Sequence, residues 1–336
     1  MKIEATLLGA DLADSGPTAK RLEAAGVDAV YSFEGPHDPF FPLLLAAGET
    51  ERVDLGTAIA IAFARNPMLC ANIGNDLQQL TRGRFILGLG SQIKPHIEKR
   101  FSQPWSRPAA RMREFVLAIQ AIWRCWNEGE PLEFRGEFYT HTLMTPFFNP
   151  GPNSFGPPRI FLAAVGPKMM ETCAEVADGL FVHPLHTRSY FEASALPALE
   201  AGLARSGRTR EQFEISCQTI CMVGSSDEQI ATARAKARGQ ISFYGSTPAY
   251  KGVLDHEGWG DLQPLLNRMS KQGQWAQMME LVSDEMLDAI GVSGTPQQVG
   301  AALCERNDFA DRTMLVLYDE TGDPDALTDV VRAAKG

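Results

Sequence analysis

The sequence predicts an α/β protein folded as a (β/α)8 TIM barrel, with long insertions after strands four and seven. Three observations predict it. Short apolar, β-branched runs number eight, and most are followed by an amphipathic segment at helical period. Several runs, such as Phe85-Ile86-Leu87 and Met314-Leu315-Val316-Leu317, are apolar at consecutive positions, as burial on both faces of a parallel sheet requires. Helix starts carry their own signals, which fixes the alternation as right-handed βαβ units.

Taken in order, the strands are expected at Ile3–Leu8, Asp28–Ser32, Val53–Ile61, Arg84–Leu89, Arg159–Ala164, Gly179–His183, Phe213–Val223 and Thr313–Tyr318. Helices are expected at Thr18–Ala25, Pro39–Gly48, Pro67–Leu80, Pro167–Ala177, Ser189–Arg205 and Asp227–Gln240. Thr209-x-x-Gln212, Ser226-x-x-Gln229 and Thr295-Pro296-x-Gln298 match capping boxes, the last with Pro at the first helical position. Two stretches break the pattern, at about 91–158 and 241–311. The first is expected to open as a loop, then to hold a helix at Ala109–Trp126, a small hairpin within Leu132–Tyr139 and a Pro/Gly-rich loop at Met144–Pro158. The second is expected to carry a helical stretch at Trp259–Val282. Unstructured loops of that length are rare unless they cover a site, and both follow the C-terminal ends of strands, where barrel active sites sit. The chain, 1–336, is read as a single domain.

Bulk composition narrows the function. Lys and Arg number 31 against 41 Asp and Glu, a net charge of -10 that disfavours nucleic acid. No apolar run reaches the ~20 residues of a bilayer span, and no signal peptide is visible, so a cytoplasmic protein is expected with no membrane partner. The six cysteines form no C-x-x-C pair and no Cys/His metal spacing, and are read as buried small hydrophobes. No metal site is expected: His183 and His186 after strand six form a group open to acid–base work, and as metal ligands they lack a third partner placed by sequence.

Several strand ends carry residues suited to chemistry. Gly88-Leu89-Gly90-Ser91-Gln92 fails the dinucleotide fingerprint, because Ile93 stands where the third glycine belongs. Its glycines suit either the close approach of a flat ligand or a turn needing positive φ. Val165-Gly166-Pro167 offers free amides at a helix start, for an anion or simply as a tight turn. After strand two, Glu34, His37 and Asp38 crowd one loop: Asp38 reads as a helix N-cap, Glu34 and His37 as acid–base candidates. Arg65 suits a ligand phosphate or a structural ion pair. Phe147, Phe148 and Phe155, with Trp105 and Trp123, are read as core.

The joint order of Ala24-Ala25-Gly26-Val27-Asp28-Ala29, Leu55-Gly56-Thr57-Ala58-Ile59, Arg65-Asn66-Pro67, Leu80-Thr81-Arg82-Gly83-Arg84-Phe85-Ile86-Leu87-Gly88-Leu89-Gly90, Ala163-Ala164-Val165-Gly166-Pro167, Ala177-Asp178-Gly179 and Gly294-Thr295-Pro296-Gln297-Gln298-Val299 resembles the bacterial luciferase-like superfamily. Within it, the chain is most similar to the branch of oxidoreductases dependent on the deazaflavin coenzyme F420. The resemblance covers essentially the whole chain. It implies a deazaflavin or flavin ring at the strand C-termini, supported on one face by a non-prolyl cis peptide around Ala58–Ile59. Gly90, Ser91 and Gln92 would flank the ring, and Val165 and Gly166 would contact its phosphate-bearing tail. Glu34 and His37 stand as the catalytic candidates, although many relatives place His directly after the acid, where this chain has Gly35.

Two activities follow from the resemblance. One is F420-dependent hydride transfer to or from a small organic substrate, with Glu34 or His37 moving the proton. The other is an FMN-dependent monooxygenase that uses O2 and a separate flavin reductase. A non-catalytic flavin-binding protein is the reading of a different class. A homodimer through the helices beside strands two and three is also implied.

Overall fold

A computed structural model describes residues 1–7 and 11–336. Eight parallel strands close on themselves: β1 (Lys2–Thr6), β2 (Ala29–Ser32), β3 (Asp54–Thr57), β4 (Phe85–Gly90), β5 (Arg159–Ala164), β6 (Gly179–Val182), β7 (Glu214–Val223) and β8 (Arg312–Asp319). Closure is completed by β8 on β1, with Lys2 opposite Arg312, and by β7 between β6 and β8. The predicted TIM barrel is thus observed. The expected end of the first strand, Leu8, lies outside the described residues. The third strand is shorter than expected: it stops at Thr57, turns through the cis Ala58–Ile59 peptide and resumes only at Ala60–Ile61.

The lumen is packed and layered. Its N-terminal floor is ionic, because Arg312, fully buried, donates from Nη1 to Glu4 (3.0 Å), from Nη2 to Asp54 (3.0 Å) and from Nε to Glu214 (2.8 Å). Tyr31 also donates to Glu4, at 3.0 Å. A buried charge needs this degree of pairing to survive desolvation. Above the floor lies an apolar layer of Tyr31, Ile86, Phe161, Phe181 and Met314, with Tyr31 edge-on to Phe181 at 5.2 Å. Residues that alternate with these along each strand face outward into the main core beneath the helices.

Between β4 and β5, the structure places a short helix, Lys94–Lys99, where a loop was expected. Helix Pro108–Glu128 packs against Pro67–Leu80 on one side and Pro167–Val176 on the other, so it belongs to the outer ring of the barrel. The hairpin is reduced to Phe134–Arg135 paired with Thr140–His141. Between β7 and β8, the expected helical stretch is broken into Leu262–Lys271 and Trp275–Glu280, because Gly273 between them adopts a left-handed φ of 70°. An unforeseen strand, Gly291–Gly294, pairs with β7 outside the ring, and helix Pro296–Arg306 packs against β7 and the terminal helix Ala326–Lys335.

The capping boxes at Thr209/Gln212 and Thr295/Gln298 are both formed. At Ser226 only half the motif exists: Ser226 accepts from the Gln229 amide, whereas Gln229 Oε1 takes the Ser225 amide. Two burial expectations are corrected. Phe147 and Phe148, on a one-turn helix with no buried residue, and Phe155 are 90%, 71% and 43% exposed, while Trp123 is buried and Trp105 leans edge-on against Phe63. Five cysteines are buried but Cys304 is exposed.

Candidate active site

The C-terminal mouth of the barrel is built around the turn that interrupts strand three. Ala58 donates its amide to the Ser32 carbonyl (2.8 Å), and the Ile59 carbonyl accepts from the Glu34 amide (3.0 Å). Thr57 and Gly88 lock it from the other side: Thr57 Oγ1 donates to the Gly88 carbonyl (2.6 Å) and accepts from the Gly88 amide (3.0 Å). A Cβ on Gly88 would lie 1.7 Å from the Thr57 carbonyl oxygen, and one on Gly90 would lie 2.8 Å from Ile59 Cγ1. Both glycines therefore serve close approach of the β3 turn to β4. The left-handed conformation in this segment belongs instead to Gln92, with φ of 59°. Gln92 holds it by accepting the Ile93 amide on its own Oε1 at 2.9 Å, and Ser91 Oγ donates to the Gln92 carbonyl at 3.1 Å.

Ala58, Ile59 and Ala163 are part-exposed and pack on the lumen layer, forming a small-residue platform. Beyond β5, Val165 is half-buried, and its carbonyl accepts from the Tyr190 hydroxyl at 3.4 Å. Gly166 is exposed, and a Cβ there would meet nothing within 4 Å. Among the described residues no side chain caps the ten-residue helix that follows, so its positive end lies open beside the exposed Gly166. A flat apolar platform next to an uncapped helix start fits a planar ring carrying a phosphate-bearing tail.

The acidic loop after β2 is clamped. Arg65 Nη1 bonds Glu34 Oε2 and Nη2 bonds Asp38 Oδ2 at 2.9 Å, while the Ile61 amide donates to the same Glu34 oxygen at 2.7 Å. Burial would lower the Arg65 pKa, but its bonds to Glu34 and Asp38 outweigh that and raise it, so its charge is permanent. Of the two readings open for Arg65, the structure shows the ion pair. Asp38 Oδ1 accepts the Phe40 amide at 2.9 Å, but the helix Phe40–Ala47 starts with Pro39 at its cap position, so Asp38 lies one residue ahead of the cap expected of it. Glu34 is thus nearly enclosed and bonded from two directions, whereas His37 stands exposed on the same loop. One network holds Glu34, Ile59 and Ile61 together; His37 lies outside it.

Sequence reasoning missed the aromatic wall on the far side of the mouth. His183 follows Phe181 by two residues, so its ring shares the lumen-facing side of β6. It stacks on Tyr250 (4.2 Å between centroids, 27° between planes) and meets Tyr244 edge-on at 4.5 Å. Tyr250 and Tyr244 come from the segment between β7 and β8, whose helices pack Leu254, Val282 and Met286 over Ile220 and Met222. The signal available in sequence was the parity of His183 with Phe181; nothing local showed which residues would cover it. Burial, then the neighbouring His186, pushes the His183 pKa down to about 3. His186 is also pushed down to about 3, by burial and then by Arg306; its Nε2 lies 3.2 Å from Cys217 Sγ.

Comparison with known proteins gives a consistent picture. The family model described as luciferase-like monooxygenase matches residues 4–313. The chain is 54% identical over 295 residues to an uncharacterized protein of Mycobacterium tuberculosis, covering 88% of this chain and 87% of that one. A second protein of Mycobacterium tuberculosis, provisionally assigned as a coenzyme F420-dependent oxidoreductase, is 30% identical over 294 residues, with 81% of each chain covered. Among solved structures, the coenzyme F420-dependent tetrahydromethanopterin reductase from Methanopyrus kandleri superposes with a TM-score of 0.79 at 19% identity, covering 98% of this chain and 96% of that one.

Proposed function

Because the chain belongs to the luciferase-like monooxygenase family, whose members similar to it are oxidoreductases, we propose that it is an F420-dependent enzyme transferring hydride to or from a small organic substrate. The observation that carries this reading is the mouth itself: the platform of Ala58, Ile59 and Ala163 lies beside Gly90-Ser91-Gln92, with the uncapped helix start at Val165-Gly166 to one side. When bound there, a deazaflavin supplies a two-electron hydride donor or acceptor. The protein's own residues do the rest. Ala58 and Ile59 support the ring, and Gly90, Ser91 and Gln92 line its edge. Val165 and Gly166 present backbone to the anionic tail.

Glu34 and His37 take different tasks in this proposal. Glu34, tied to Arg65 and to the Ile61 amide, is a positioning residue that fixes the supporting turn. His37, exposed beside it, is the group free to exchange a proton with solvent and substrate. A homodimer is proposed as well. Helix Phe40–Ala47 exposes Phe41, Leu44 and Leu45, and helix Pro67–Leu80, which contacts it, exposes Leu69, so two neighbouring helices offer large apolar side chains to a partner.

The test is a pair of equilibrium titrations of the apoprotein, with coenzyme F420 and with FMN, each in oxidised and reduced form. Tight F420 binding with weak FMN binding is expected. Preference for reduced FMN would replace the hydride-transfer reading with a two-component monooxygenase, and binding of neither would overturn a cofactor site at this mouth. With F420 bound, loss of turnover in His37→Ala at unchanged cofactor affinity is expected; unchanged turnover would remove His37 from the mechanism.

A further inference from the structure

The wall facing the cofactor platform holds a hydrogen-bond donor that the acid–base loop does not supply. The Leu185 amide donates to Nδ1 of His183 at 3.1 Å, so Nδ1 is an acceptor. A neutral imidazole has one donor and one acceptor nitrogen, and the proton must then sit on Nε2. Neutrality follows from the surroundings. The ring is enclosed by Tyr250, Tyr244 and Leu185, with no carboxylate among these neighbours to favour the imidazolium. Among the described residues Nε2 has no hydrogen-bond partner, and His183, one residue past the end of β6, is part-exposed. The ring is held by the stack of Tyr250 on one face and by Tyr244 packed against its side, so this donor is held in position before any ligand arrives.

We propose that His183 Nε2–H is the group that binds and orients the oxygen of the substrate, and that the substrate is an uncharged alcohol or carbonyl compound with an apolar body. This rests on the cofactor reading above. The chemistry of the wall selects that class. Tyr244, Tyr250, Trp259 and Tyr318 offer rings and phenolic hydroxyls, and each packs against the apolar cluster of the covering helices. Burial raises the pKa of Tyr244, Tyr250 and Tyr318, so all three remain protonated and uncharged. None of these four side chains, nor His183 itself in its neutral form, offers a cation, so a phosphate or carboxylate on the substrate would lose hydration against them without compensation. A neutral oxygen needs one donor, and His183 provides it. The hydrogen bond is strongest to the oxygen that carries most negative charge, the alkoxide-like oxygen formed when hydride adds to a carbonyl carbon.

The experiment uses His183→Phe, which keeps the stack on Tyr250 and removes the donor, and His183→Gln, whose side-chain amide places an N–H near the original Nε2. F420 affinity is measured first; failure of the native protein to bind it refutes the cofactor reading and this inference together. With F420 bound, cyclohexanone and cyclohexyl phosphate serve as neutral and anionic probes, followed through perturbation of the cofactor absorbance. Native protein is expected to bind cyclohexanone in preference to the phosphate. His183→Phe is expected to retain F420 affinity and lose about 2- to 10-fold in cyclohexanone affinity, the range for one neutral hydrogen bond, with His183→Gln recovering part of it. Equal cyclohexanone binding by native protein and His183→Phe, stronger binding of the phosphate, or no binding of either probe would each overturn the proposal while leaving the cofactor reading standing. The tautomer has its own readout: two-bond proton–nitrogen correlation on the labelled protein should show Nδ1 unprotonated, and a protonated Nδ1 would remove the donor.

Discussion

Mild acid should destabilise this protein through His183 and His186, and the effect can be worked from their surroundings. Both rings are held near pKa 3, against 6.5 for the unfolded chain. The folded state therefore binds fewer protons than the unfolded state throughout that interval. Stability is complete above about pH 6.5 and falls as pH drops toward 3. At 1.36 kcal/mol per pH unit, each ring removes about 1.4 kcal/mol between neutrality and pH 5.5, or up to about 3 kcal/mol for both. That is a large fraction of a typical folding free energy. Glu4 and Asp178, whose carboxyls burial pushes up, act in the opposite direction, so the effect is best read as a difference between proteins. Urea unfolding at pH 7.5 and 5.5 should show the native protein losing more stability than His183→Phe or His186→Gln, by about 1.4 kcal/mol for each ring removed. Identical losses in all three would refute the reasoning, because they would mean that neither ring is kept neutral by the fold.

Three further outcomes are expected. Arg65→Met should cost about 3–5 kcal/mol by leaving the enclosed Glu34 without its partner, while the double substitution with Glu34→Gln should recover much of it, as urea unfolding would show. Gly88→Ala would drive a Cβ into the Thr57 carbonyl and should weaken F420 binding by shifting the supporting turn; its cost in stability, about 1–3 kcal/mol or more, is read from the same melts. Leu44→Glu, which puts a charge in the exposed apolar face of helix Phe40–Ala47, should convert a dimer to monomer in light scattering without loss of the barrel's circular dichroism.

How much of this was legible in sequence depended on the range of the interactions that decide each feature. The barrel was legible because its signals are local: a run such as Phe85-Ile86-Leu87 reads as a doubly buried strand wherever it falls, and Thr295-Pro296-x-Gln298 writes its own helix start. Glycine spacing was legible but its cause was not. Gly88 and Gly90 stand out in the chain, yet the groups that demand them, the Thr57 carbonyl and the Ile59 side chain, lie about thirty residues away. The length of helix Pro108–Glu128 was visible and its place in the ring was not, because that is set by contact with Pro67–Leu80 and Pro167–Val176.

The mouth divides along the same line. Glu34 and His37 are neighbours on one loop, and their proximity is plain from the sequence; that Arg65 takes the first and leaves the second is a long-range fact. His183 shows the same limit on the opposite wall. Its direction follows from the two-residue period of β6, but its protonation state depends on the Leu185 amide and on two tyrosines more than sixty residues on. A residue's presence at the C-terminal end of a barrel strand places it at the site. What it does there is decided by partners that only the closed fold supplies, which is why the chemistry of this mouth is best tested by substitutions that keep shape and remove one hydrogen bond at a time.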